Sequence, residues 1–352
     1  MVKTSISLVA ALISFVSFSN HKVSIPDVEV VGSGSVPQVV KDNHNTLHLV
    51  FGKGDSILYA FSKNGGTTFC EPELVDTVPQ LFSFAMRGPQ ISATENGVCI
   101  VAATQQGNLL SYQKKGSERW KKSGRVNDLD TVAKEGLLAL GSNGKQGLFA
   151  VWLDLRQGQN NIYGAQSVDG GRHWSKNKMI YTSPDGHVCE CCKPSVAVQG
   201  NHIAVMFRNW VGGNRNLYLI QSFDGGQTFQ RAEKLGLGNW KLDGCPMDGG
   251  GLMIDPKDNV QTVWRRQDKI FATQLGAAEQ EIGAGRSCTI EAVKDKTVYA
   301  WVEGGDVVVR KPDGSKINLG KGQLPALQAT DEEKVVCVWE KEGQILKAVV
   351  TI

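Results

Sequence analysis

Three eight-residue segments are near copies of one another: Ser62-Lys63-Asn64-Gly65-Gly66-Thr67-Thr68-Phe69, Ser167-Val168-Asp169-Gly170-Gly171-Arg172-His173-Trp174 and Ser222-Phe223-Asp224-Gly225-Gly226-Gln227-Thr228-Phe229. Each has the chemistry of a tight hairpin turn: adjacent glycines accept positive φ, the Asp or Asn bonds its own turn backbone, and the closing aromatic takes an apolar seat. The segments start 105 and 55 residues apart. The first interval is close to twice the second, so a worn copy belongs between the first two.

The repeat is larger than the turn. Seven times the chain runs through a small-residue segment and then two apolar strands. These pairs are Leu47–Phe51 with Ile57–Phe61, Val98–Ala102 with Leu109–Gln113, Leu148–Leu153 with Ile162–Gln166, and Ile203–Phe207 with Leu217–Gln221. Val260–Trp264 with Ile270–Gln274, Val298–Val302 with Val307–Arg310, and Val335–Trp339 with Ile345–Val349 complete the set. Short strands, Gly, Asn and Asp punctuation and no 3.6-residue stripe make the chain all-β. A period of roughly 40 to 55 residues predicts a single closed β-propeller of four-stranded blades, labelled A to D from the axis outward. Val36-Pro37, Gly88-Pro89, Lys193-Pro194 and Leu324-Pro325 mark successive strand A starts. The seventh repeat ends after its third strand, and Val28–Val31 supplies the missing fourth, which closes the ring and covers both edges. The count is therefore seven blades, with six as the alternative.

The turn segments resemble the Asp-box of sialidase-like (BNR repeat) β-propellers, carried here by Ser62, Asn64, Gly66 and Phe69, by Ser167, Asp169, Gly171 and Trp174, and by Ser222, Asp224, Gly226 and Phe229. Their place between strands C and D makes them structural. The resemblance implies an upper face that grips an acidic sugar with three arginines, an Asp acid/base, and a Tyr–Glu nucleophile. Arg87, followed by Gly-Pro, is similar to the family's first Arg, and Arg208 and Arg265 match the others by position. Asp154, Asp243 and Glu190 are the candidate catalytic carboxylates. Tyr59, Tyr112, Tyr163 and Tyr218 instead recur within strand C of successive repeats, where an aromatic packs between sheets.

Residues 1–19, with Lys3, an apolar run from Ile6 to Phe18 and small residues at Ser17 and Ser19, read as a secretory signal peptide. The remainder, 20–352, is one domain, expected to be secreted or periplasmic, monomeric and without a membrane span. With 38 Lys and Arg against 35 Asp and Glu there is no electrostatic case for nucleic acid.

The D-to-A and B-to-C connections emerge on one face of a propeller, and they concentrate Arg, carboxylate, Trp and Cys. Arg87, Arg156, Arg208 and Arg265 suit an anion through their planar forks, while Trp210 and Trp240 offer stacking faces for a sugar. The same face holds Cys189, Cys191 and Cys192 in one connection and Cys245 in the next. An exported chain oxidises such thiols, so a disulfide from Cys245 to one of the trio is expected. The other reading is a zinc or Cu(I) site, with His187 as a further ligand; no cofactor is otherwise required. Cys70, Cys99, Cys288 and Cys337 read as scattered free thiols.

Three functions follow. A glycoside hydrolase needs two mouth carboxylates about 5 to 10 Å apart. A non-catalytic glycan- or protein-binding module needs only the Arg and Trp lining. A metal-binding or redox protein needs the cysteine cluster reduced.

Overall fold

The structure, a computed structural model, describes residues 26–352 together with Met1. The expected leader falls, apart from Met1, outside the described residues. Among those described, no helix is long and apolar enough to cross a membrane.

The strands form seven antiparallel four-stranded sheets. The innermost strands, which line the axis, are Ser35–Lys41, Gln90–Thr94, Leu138–Ser142, Ser195–Gln199, Gly250–Ile254, Arg286–Val293 and Gln323–Ala329, for blades 1 to 7. The strand A starts read from the X-Pro pairs all fall at or next to these. Blade 7 consists of Gln323–Ala329, Lys334–Lys341 and Gln344–Thr351, and its outer strand is the N-terminal segment Glu29–Ser33. That strand runs antiparallel to Gln344–Thr351, with Glu29 opposite Lys347 and Ser33 opposite Gln344. The ring thus closes with seven blades by the route expected, one to two residues C-terminal of Val28–Val31.

Strand B is apolar on both faces in blades 1 to 4 because both faces are covered. In Leu148–Asp154 of blade 3, Leu148, Ala150 and Trp152 pack into the core shared with blade 2, whereas Phe149, Val151 and Leu153 pack into the core shared with blade 4. Seven such cores alternate with the seven blades. Burial on both sides of a period-two strand yields the continuous apolar run seen in the sequence.

The three glycine turns lie at the C-to-D connections of blades 1, 3 and 4, and their networks superpose in kind. Ser62, Ser167 and Ser222 Oγ each donate to the turn Asn or Asp at 2.8 to 2.9 Å and accept the N–H of Gly66, Gly171 or Gly226. The second glycine of each pair abuts the preceding blade. A Cβ on Gly226, at φ 88°, would lie 2.7 Å from the Phe149 ring. These turns fasten neighbouring blades.

Candidate functional site

The strand A starts converge at the upper end of the axial channel, where all seven blades contribute to a cavity of about 230 Å³. Its polar lining includes Gln38, Gln90, Lys193, Ser195, Asp248 and Ser287. Lys193 lies deep in the ring yet keeps partial access to the channel. Its Nζ donates to Gln90 Oε1 at 2.7 Å, and burial lowers its pKa to about 8. Asp248 is 2% exposed. It accepts the Ser287 N–H at 3.2 Å and Arg265 Nη1 at 3.5 Å. Burial pushes its carboxyl up, against the pull of Arg208 and Arg265.

The rim of this mouth is strained. Val36, Ser287 and Leu324, second residues of the innermost strands of blades 1, 6 and 7, have φ of 55°, 56° and 54° at register breaks. Carboxylates from the preceding blades capture two of these N–H groups: Glu340 takes that of Val36 at 3.1 Å and Asp248 that of Ser287. Left-handed backbone at non-glycine residues costs about 1–3 kcal/mol each and clusters at functional sites.

Arg208 and Arg265, at the ends of strand B in blades 4 and 5, come together. Arg208 Nη2 donates to the Arg265 carbonyl at 3.0 Å, and the two guanidiniums cover the Trp240 ring at 5.0 and 5.3 Å. Trp240, 7% exposed, is therefore packed in place rather than open for stacking. Trp210 carries Arg215 at 4.4 Å and the His187 ring at 6.0 Å. Arg87 lies apart from this pair: its Nε donates to the Glu135 carbonyl at 2.6 Å, and Nη2 sits 3.6 Å from the Glu135 carboxylate.

Asp154 is 0% exposed. Both its oxygens are occupied by Arg156, through the backbone N–H, Nε and Nη2 at 2.9 Å, and by Trp152 Nε1 at 2.8 Å. Asp243 is exposed on the loop before blade 5, and Glu190 accepts Arg215 Nη1 at 3.3 Å. Tyr59, Tyr112 and Tyr163 are buried between sheets.

All eight cysteines are free thiols. The disulfide expected from Cys245 to the trio is absent: Cys245 is exposed and its Sγ faces Glu190 Oε1 at 3.9 Å, whereas the trio is buried and its sulfurs face one another. Cys189 Sγ lies 3.7 Å from that of Cys191 and 3.6 Å from that of Cys192. Hydrogen bonds from Cys191 and Cys192, together with the Arg215 guanidinium 3.0 Å away, hold Cys189 well below the usual thiol range. The shared protons push Cys191 up, and burial does the same to Cys192. His187 turns away, its Nδ1 on the Val188 carbonyl at 3.0 Å.

Lys193 and Arg215 were not among the residues singled out from the sequence. A signal for the first was present: where other X-Pro strand A starts carry Val, Gly or Leu, this one carries Lys.

No family model matches the chain, and no curated protein matches it in sequence. Solved structures match it in fold. The BP39L lectin from Burkholderia pseudomallei aligns with TM-score 0.68 at 11% identity, over 91% of this chain and 96% of that one. A polysaccharide lyase of family PL25, an ulvan lyase, aligns at TM-score 0.57 and 11% identity over 92% and 94%. The GH93 α-L-arabinofuranosidase of Fusarium graminearum aligns at 0.55 and 12% over 91% and 93%. The common element is the propeller. At these identities the likeness extends to the fold alone.

Proposed function

We propose that this protein is a carbohydrate-binding propeller that holds a carboxylated or sulfated sugar unit at the upper end of its axial channel. The observation that carries the reading is Lys193. Among the described residues its ammonium has a single acceptor, Gln90 Oε1, and it sits in a cavity whose other polar groups, including Gln38 and Ser195, suit the hydroxyls of a sugar. A partly desolvated cation with free donors favours an anionic partner through charge-assisted hydrogen bonds. Arg208 and Arg265 balance the carboxylate of Asp248, so Lys193 adds positive charge to the mouth.

Binding is favoured over hydrolysis by the carboxylates. Glycoside hydrolysis commonly uses two of them flanking the bond. Asp248 is the one carboxylate among the described residues lining the cavity. Asp154 is fully engaged with Arg156 and Trp152, and Glu190 with Arg215. The lectin, lyase and arabinofuranosidase neighbours fit a carbohydrate ligand, since propellers of this shape serve all three. The leader-like N-terminus places the protein outside the cytoplasm in this reading; Edman sequencing of the product from a secreting host should begin near residue 20.

Calorimetry against a panel of uronate, sialate and sulfated oligosaccharides with their neutral counterparts tests the proposal. An anionic member should bind, Lys193→Met should abolish binding, and Lys115→Met on the surface should not change it. Equal binding of neutral and anionic sugars, or unchanged binding by Lys193→Met, would refute it.

A further inference from the structure

The cysteine trio is unused by the carbohydrate reading, and the inference drawn from it does not depend on that reading. We propose that Cys189, Cys191 and Cys192 form a three-sulfur site for one Cu(I) ion. The three sulfurs lie within 4.8 Å of one another. Two of the separations are 3.6 and 3.7 Å. Three sulfurs around one ion at about 2.3 Å stand roughly 3.8 to 4.0 Å apart, whereas a disulfide draws a pair to about 2.05 Å. The two separations lie just under that range and far outside a disulfide's, so a small adjustment brings the sulfurs round one ion. The loop is fixed before any ion arrives, since the Cys189 N–H donates to the Arg208 carbonyl at 3.0 Å and Val188 bridges to Asn209.

Coordination number separates the candidate metals. Structural zinc sites take four ligands. Among the described residues no fourth His, Cys, Asp or Glu joins this cluster. Thiolates in a buried three-coordinate set suit a soft monovalent ion. Charge points the same way. Cu(I) with three thiolates carries a net charge of −2, and two guanidiniums stand beside it. Arg215 Nη1 donates to Cys189 Sγ at 3.0 Å, and Arg208 acts on Cys192. Arg208 is 2% exposed, forms no ion pair among the described residues, and its Nε–H meets no acceptor. Its nearest carboxylate, Asp248, is shared with Arg265, so a further anion beside Arg208 is favoured, and a copper–thiolate centre supplies it. On binding, the S–H protons of Cys191 and Cys192 pass to solvent, Cys189 entering as the thiolate already facing Arg215, three Cu–S bonds form, and no electron is transferred because copper enters as Cu(I).

The test is anaerobic titration of the reduced full chain with Cu(I) against bicinchoninate, followed by X-ray absorption on the loaded protein. One copper per chain with three sulfur neighbours is expected. Cys189→Ser and Cys192→Ser should lose that copper, Cys245→Ser should keep it, and Arg215→Met should weaken it by about 10–100-fold, the usual range for a group supporting a ligand. Absence of binding, a shell with two or fewer sulfurs, displacement by equimolar Zn(II), or retention in Cys189→Ser would overturn the proposal. If the serine variants do not fold, the sulfur count of the native protein and the Cys245→Ser control still decide.

Discussion

Replacing Asp154 by Ala separates a structural carboxylate from a catalytic one. Asp154 accepts four hydrogen bonds at 2.8 to 2.9 Å and is fully buried. Truncation strands the Trp152 indole N–H, a loss of about 1–3 kcal/mol, and removes the main counter-ion of Arg156. Breaking a buried pair costs about 3–5 kcal/mol. The lower part of that range applies, because Arg156 keeps Asp128 at 3.0 Å, Asn177 at 2.8 Å and the Tyr163 ring at 4.3 Å. With an unfolding entropy of about 2.1 cal/mol/K per residue, a loss of about 3–4 kcal/mol in a chain of this length lowers Tm by roughly 4–6 °C. Asp154→Asn, which retains an oxygen for Trp152, should lose about half as much. Thermal unfolding followed by circular dichroism measures both, and sugar binding below the transition should be unchanged. A variant with native Tm that no longer binds or processes carbohydrate would refute the structural assignment.

Two further outcomes follow from the packing. Gly226→Ala should cost about 1–3 kcal/mol, more than Gly225→Ala, because both glycines have positive φ but only the former meets Phe149 of the preceding blade; urea unfolding of the pair compares them. Glu291 is pushed up to about 7 by burial, above the usual carboxyl value of about 4.3, so its contribution to stability is full below about pH 4.3 and is lost as pH rises through 7. Glu291→Gln should therefore stabilise the protein by about 1–2 kcal/mol above pH 7 and change little near pH 4, as read from denaturation midpoints across pH.

The ring was legible because its physics is local and periodic. Leu148–Leu153 is apolar at every position since both of its faces meet a neighbouring blade, and Glu29–Ser33 completes blade 7 since that blade otherwise ends at three strands. The mouth was only partly legible. Strand ends and connections placed Arg87, Arg208 and Arg265 on one face, yet side-chain direction depends on partners far along the chain. Arg87 turns to Glu135, 48 residues away, while Arg208 and Arg265 close over Trp240. The expected disulfide assumed that two adjoining loops present their thiols to each other; instead the trio faces inward under Arg215 and Cys245 faces out. The depth of Lys193 follows from the narrowing of seven innermost strands, which no short window of sequence contains.

The dependence of anionic sugar affinity on pH tests the central claim most directly. With the Lys193 ammonium titrating at about 8 in the free protein, affinity should be level below that value and fall by up to tenfold per unit above it. Lys193→Met should remove both the tight binding and its pH dependence. Affinity that stays constant from pH 7 to about 10 in the native protein, or a pH profile that survives in Lys193→Met, would contradict the account.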